Sequence, residues 1–500
     1  MGDAVSLTGG KVGIGAVVEH ESGRRERIFN PRLKVGISYR PDERWLFGIG
    51  LDDRLRLGAQ LSLPPLALRA GLQKGLGGGG VCLSGGFGVR FRGVQIDYAL
   101  LIPQGLSPTS FLSLSFNVDY QKPPVRIEAV KLREIYPSLI YLYAKGGEDS
   151  PVYQEPITSA PPEFKLHPMD KLGRIWMANE GRELVEVRVK LMIDRFTPKG
   201  GSAAVERIAI LPRHRASVPI SKLILTDEAL RLRRDVPVEV RVEVSDVADE
   251  MRKKAVHYAK TVIRSVNSIQ LDEIAKLAPF ITPTDEAVRS FALEALKAAE
   301  GLISSQPFHP DLMKGIVLFD AMYGMRYASD PNVPFERGTV DEVMFPREIL
   351  EGKGFGDCDD SVVLYCSLLE SVGVHTALIK RPKHVLMAFK LEGMTLEKAQ
   401  QMRLDESKYI PIDGYVWIPV ETTLIGKGFA EAWKAGARQV KEGVEDVVTV
   451  QSAWERFGSV DMGRIWGSPE TLPSPDPERL RARIRRDLSD RWVSDWREMR

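Results

Sequence analysis

Cys358 follows Gly354-Phe355-Gly356-Asp357 and opens the run CDDSVVLYCSLLESVGV. Val362, Tyr365, Cys366 and Leu369 recur after it at helical spacing, and Gly373 lies just past the end, where a left-handed cap is wanted. The spacing predicts that Cys358 starts a helix, with glycines clearing space before it. The dipole and free backbone N–H groups at that end favour a thiolate, and the same N–H groups can hold an oxyanion. A thiolate nucleophile needs a base. His384 starts a strand pattern, HVLMAFKL, and a second pattern, YVWIPVE, covers residues 415–421. If the two pair antiparallel, the start of the first faces the end of the second, and His384 faces Glu421. The carboxylate would accept the imidazole N–H, fix its tautomer and leave the other nitrogen for Cys358.

Other residues compete for these roles. Cys366 lies two turns deeper among Leu364, Leu368 and Leu369 and reads as packing. Cys82 lies in strand-like sequence, and three cysteines are too few for a disulfide scaffold. His375 follows Gly373 and is a lesser candidate for the base. Asp413, on the turn before the second strand, is the reserve for the acid. Asp357, Asp359 and Asp360 could suggest a metal, but a helix dipole favours acids in the first turn. No metal and no cofactor is expected, and no Walker, Rossmann or zinc spacing occurs.

GDCDDSVVLYCSLLESVGVHTALI, then HVLMAF, then WIPVETT, resembles the transglutaminase-like cysteine-enzyme superfamily, which shares the papain-like fold. The resemblance covers about residues 275–435. It implies an α+β domain, a Cys358–His384–Glu421 triad and a thioester intermediate on a peptide or protein substrate. Water as acceptor makes a peptidase or amidase; an amine makes a transglutaminase. The superfamily also holds inactive and purely binding members, so a catalytically silent binding or assembly module is the second reading. Two features depart from the pattern. The family's third-motif Asp is Glu421 here. The stretch from His384 to Glu421 is long, so residues 392–408 must form an insertion, helical over MTLEKAQQMRL and near the site mouth.

The helices expected to support the site run from Asp285 to Ser304 and from Asp311 to Tyr327, on the spacing of Val288, Phe291, Ala292 and Ala295, then Ile316, Phe319 and Met322. Before them, strand patterns at 172–179, 184–193, 205–211, 217–225 and 236–244 read as an immunoglobulin-like sandwich without chemistry, behind a Pro-rich joint at Pro123-Pro124. His167, His214 and His257 sit there singly. Residues 10–120 alternate strictly, in about eight strands with turns such as Pro41-Asp42 and Gly77 to Gly80. One face is large and apolar (Trp45, Phe47, Ile49), the other Gly, Ser, Gln and Arg. That dyad resembles part of a bacterial outer-membrane porin-like barrel; a soluble antiparallel sheet or barrel is the alternative. The domains expected are 1–122, barrel-like; 123–262, the sandwich; 263–440, the transglutaminase-like domain; and 441–500, a helical tail.

At 500 residues, about three domains are expected. Lys+Arg 69 against Asp+Glu 67 argues against nucleic acid held by bulk charge, and the Arg run after 476 reads as a solvated face. No apolar run is long enough for a membrane helix. MGDAVSLTGG shows no secretory pattern. The bacterial cell envelope is the expected location, on the strength of the barrel-like strands. Gly2 and Ser6 fit the myristoylation spacing only by chance.

Overall fold

The computed structural model describes the chain except residues 1–2, 10–11, 21–30, 40, 43, 64, 78–79, 92–93, 117–121, 147–149, 159–162, 250–251, 326–338, 353–355, 470–471, 473 and 498–500. Gly2, the Gly77–Gly80 turn at its centre, the last expected residues of the eighth strand and of the second helix, and Gly354-Phe355 therefore lie outside the described residues. Two compact units form, Met1–Gln121 and Lys122–Arg500.

The first unit is a single antiparallel sheet. Among the described residues nine strands, from Asp3–Gly9 to Thr109–Phe116, each pair with their sequence neighbours. The period of two is clearest in the fourth strand. In Trp45–Leu51 the large side chains Trp45, Phe47, Ile49 and Leu51 are exposed, while Leu46, Gly48 and Gly50 are half-buried. Leu83, Phe87, Leu112 and Leu114 continue the exposed apolar face. Polar bonds tie the other face across strands. Arg69 Nε donates to Gln60 Oε1 at 2.9 Å, and Arg69 Nη1 donates to Asp97 Oδ1 at 2.5 Å.

The second unit is β-rich first and mixed afterwards. Two four-stranded antiparallel sheets come first. One is ordered Arg126–Leu132, Gly173–Ala178, His214–Ile220, Tyr153–Pro156; the other Ser202–Ile210, Val185–Ile193, Val236–Asp246, Ala255–Ile263. Alternation decides their faces: Val185, Val187, Val189, Leu191 and Ile193 are buried, and the residues between them half-buried. The pattern at 217–225 begins earlier and ends at Ile220.

Three helices then pack together: α1 (Glu286–Ser305), α2 (Pro310–Ala321) and α3 (Cys358–Ser371). Asp285 caps α1 through Ala287 N, and the buried Arg347 guanidinium holds the same carboxylate at 2.8 Å. α3 lies against a five-stranded sheet built from β1 (Thr376–Arg381), β2 (His384–Thr395), β3 (Ile410–Ile412), β4 (Tyr415–Val420) and β5 (Asp446–Thr449). Its order is β3-β4-β2-β1-β5. The insertion holds a short helix, Leu396–Gln401.

The tail is more integrated than its sequence suggests. Residues 446–449, inside the expected helical tail, add strand β5 to the sheet edge beside β1. Helix α4 (Phe429–Glu442) sets Trp433 perpendicular to Trp496 with centroids 5.0 Å apart. Helix α5 (Pro477–Ser489) spends its arginines on other elements: Arg481 Nε donates to Ala298 O at 2.6 Å and Arg486 Nη2 to Lys427 O at 2.8 Å. One core cluster runs from Val125 through Val187, Phe291 and Leu364 to Trp496.

A buried acid pair fastens α5. Asp487 accepts from Phe429 N at 2.6 Å, and Asp320 on α2 faces it, its Oδ1 accepting from Arg483 Nη2 at 3.4 Å. Burial first, and the Asp487 charge second, push the Asp320 carboxyl up to about 8. The folded chain keeps this proton up to about that pH, whereas the unfolded chain releases it near pH 4. Stability therefore falls as pH rises through this window. Asp320→Asn supplies a permanent donor to Asp487, so its stabilising effect should grow from pH 5 to pH 8, by at most about 1.4 kcal/mol per pH unit. Thermal unfolding of both chains across that range reads the effect; a constant difference at all pH values would contradict it.

Candidate active site

The start of α3 is fixed by a capping box. Asp357 is the N-cap: its Oδ1 accepts from Asp360 N at 3.4 Å, and Asp360 Oδ2 accepts from Asp357 N at 3.3 Å. Asp360 Oδ1 also takes Met344 N at 2.6 Å, which ties the helix start to the segment before it. Two of the three acids thus have structural duties. The third, Asp359, is 1% exposed, and its Oδ2 has no hydrogen-bond partner among the described residues.

Cys358 stands at the first position of α3, 6% exposed. Its sulfur lies 3.8 Å from Asp359 Oδ1 and takes a backbone hydrogen bond from Val385. Val385 is the residue after His384, so the nucleophile's helix abuts the start of β2. The thiol makes no direct hydrogen bond to the imidazole among the described residues; such bonds are often long before substrate arrives. Burial chiefly, then the carboxyls of Asp359 and Asp357, push the thiol up, against the pull of the Val385 and Asp359 N–H groups. The lowering expected from the helix end is therefore outweighed in this closed site. Asp359 is itself pushed far up, by burial and then by its hydrogen bond to Asp357.

The base and acid meet just beyond the paired ends of β2 and β4, two residues off the register expected. Pro382 and Lys383, the latter at a left-handed φ of 58°, turn β1 into β2 and set His384 opposite Arg381. β2 pairs antiparallel with β4, Met387 opposite Val420. Glu421, directly after β4, reaches back to His384: Nε2 lies 2.7 Å from Glu421 Oε2. A carboxylate only accepts, so Nε2 carries the hydrogen and Nδ1 holds the free lone pair.

Glu421 is 3% exposed, and four donors surround it. Oε1 accepts from Thr423 N at 3.0 Å and Thr423 Oγ1 at 2.6 Å; Oε2 accepts from Gln439 Nε2 at 2.6 Å besides His384. Burial raises its pKa, but the His384 hydrogen bond and charge, then the Thr423 donors, outweigh burial and leave it lowered. The acid's turn is tied to the nucleophile's helix by Ser361 Oγ and Thr422 Oγ1, 2.8 Å apart.

The competing residues lie elsewhere. Asp413 is exposed in the two-residue turn between β3 and β4, where it and Gly414 take φ of 49° and 80°. Such a turn selects Asp-Gly for backbone reasons, at the end of β4 away from Glu421. His375 Nδ1 lies 2.7 Å from Gln451 Nε2. His309 caps α2 and pairs with Glu392 O at 3.0 Å. Cys366 is fully buried, and burial pushes its thiol up. Ligand atoms of Asp357, Cys358 and Asp359 lie within 4.8 Å of one another, a thiol–carboxylate set suited to a zinc-like ion rather than to a hard cation. With Asp357 engaged in the cap, the set would have to give up one duty to take the other. Compared with protein-family models and with curated proteins, the chain matches none.

Gln439 is the site residue that sequence reasoning misses. Its signal lies in the helical run FAEAWKAGARQV, where Ala432, Gly436 and Gln439 share one face of α4. The small residues allow α4 to approach β4. A Cβ on Gly436 would meet Pro419 O at 2.6 Å and Val420 N at 2.8 Å, both rigid backbone. Gly436→Ala should therefore cost about 1–3 kcal/mol of stability, checked by chemical denaturation; a neutral effect would mean that α4 shifts freely.

Proposed function

We propose that residues 275–435 form a transglutaminase-like cysteine-enzyme domain of papain-like fold, acting on amide acyl groups of peptide or protein substrates. The observation that carries this reading is the buried, four-donor Glu421 carboxylate 2.7 Å from His384 Nε2, with the Cys358 sulfur on the very next residue of that strand. The step it supports is acyl transfer. Cys358 gives its proton to His384 Nδ1 and its sulfur bonds to the substrate carbonyl carbon. First-turn backbone N–H groups of α3 face the oxyanion. His384 returns the proton to the leaving amine, and a thioester remains. Water then yields an acid, or an amine a new amide. Glu421 stabilises the imidazolium that forms between these transfers. Formation of the ion pair also offsets the burial that keeps the resting thiol neutral.

The exposed apolar face of the first unit, with Ile49 54% and Leu112 75% exposed, supports reading it as porin-like and associated with a bacterial outer membrane. The two four-stranded sheets are read as an immunoglobulin-like spacer. The second reading, a catalytically silent binding or assembly module in the cell envelope, is favoured by one observation: burial and two flanking acids hold the thiol neutral.

An activity-based thiol probe separates the two. Labelling at near-neutral pH that disappears in Cys358→Ala supports the enzyme; labelling no faster than in the denatured chain supports the silent module. Glu421→Gln should then lower turnover by about 10²–10⁴ with near-normal substrate binding, while Asp413→Asn should be mild. The reverse order of severity would move the orienting role to Asp413.

A further inference from the structure

Glu421 Oε2 serves two donors at once, His384 Nε2 at 2.7 Å and Gln439 Nε2 at 2.6 Å. The orientation of the Gln439 amide is decided by its other end, where Oε1 accepts from Arg381 Nη1 at 3.0 Å. A guanidinium only donates and a carboxylate only accepts, so the reversed amide would face two mismatched partners. Arg381 is itself held by Gly443 O at 3.0 Å and Glu442 at 3.1 Å, at the end of α4. It sits opposite His384 across the β1–β2 turn. The chain Arg381–Gln439–Glu421–His384 thus begins and ends at one rung of one hairpin.

We infer that Gln439 is the positioning residue of the triad: locked by Arg381, it aims Glu421 at His384. This rests on the cysteine-enzyme reading of the site. The need for it follows from the acid being glutamate. Its side chain has one more rotatable bond than aspartate, and Thr423 holds only Oε1. Without a donor on Oε2 other than the imidazole, the carboxylate can turn away when His384 becomes charged or moves toward the sulfur. Gln439 keeps Oε2 in place through the whole proton cycle, and being uncharged it does so without competing for the imidazolium.

Two variants of the full chain test this. Gln439→Ala should lower kcat by about 10–100-fold, the size found when a partner orienting a functional side chain is lost, with KM and thermal midpoint little changed. Gln439→Glu keeps the shape but donates only when protonated, so its activity should be regained toward acidic pH, a profile that a merely structural role would not produce. The low-field proton resonance of His384 Nε2–H reads the contact without turnover and should move in Gln439→Ala. An active wild-type chain whose Gln439→Ala variant keeps kcat, pH profile and resonance overturns the inference and leaves the enzyme standing. A shifted resonance in a chain whose Cys358 never labels overturns the enzyme and leaves the positioning contact standing.

Discussion

A carboxylate taken out of water must have its oxygens satisfied, and Glu421 is the place where that requirement organises the site. Leaving it unpaired would cost several kcal/mol. Four donors prevent that: one from β2, two from the turn that follows β4, one from α4. Each comes from a segment that the fold must bring to the same few ångströms. The sheet order puts β2 beside β4, Gly436 lets α4 lie close on β4, and Ser361 with Thr422 ties α3 to the same turn.

Charge around the nucleophile is handled differently. Three acids flank or follow Cys358, and among the described residues the capping pair takes the donors from the backbone. Burial, as the first cause, pushes the carboxyls of both Asp359 and Asp360 above the usual carboxylate range. The same arrangement keeps the resting thiol protonated, and the imidazole must supply the counter-charge. The sulfur's reactivity is thus tied to the state of the His384–Glu421 pair rather than to the helix end alone.

Much of this is legible in the sequence because it follows from periodicity. The period of two marks strands 45–51 and 185–193 with their faces, and the helical recurrence after Cys358 marks α3. Antiparallel pairing of the HVLMAF and YVWIPV strands leads His384 to Glu421, and the Asp-Gly dipeptide at 413–414 signals a turn. What escapes depends on tertiary context. Asp446–Thr449 is too short to announce itself and becomes a strand only because the edge of β1 is open to it. The arginines of α5 stay largely exposed, as a solvated face would, yet two of them also donate to carbonyls within α1 and before α4. The raised pKa of Asp359 and the role of Gln439 depend on burial and on tertiary partners, which no local pattern encodes.

The strictly neighbour-to-neighbour pairing of the Met1–Gln121 sheet has a kinetic consequence. Among the described residues every ladder in it joins strands adjacent in sequence, so each requires only a short loop closure, and its relative contact order is low. Such a sheet can grow hairpin by hairpin behind the ribosome, each new strand finding its template already made. The second unit has no such route: Arg264 must find Glu134, 130 positions away, and Asp487 must find Phe429 before the core is whole. During synthesis the first sheet therefore presents its apolar face while the second unit is still incomplete, and a membrane or a chaperone that covers this face would act before the second unit is finished.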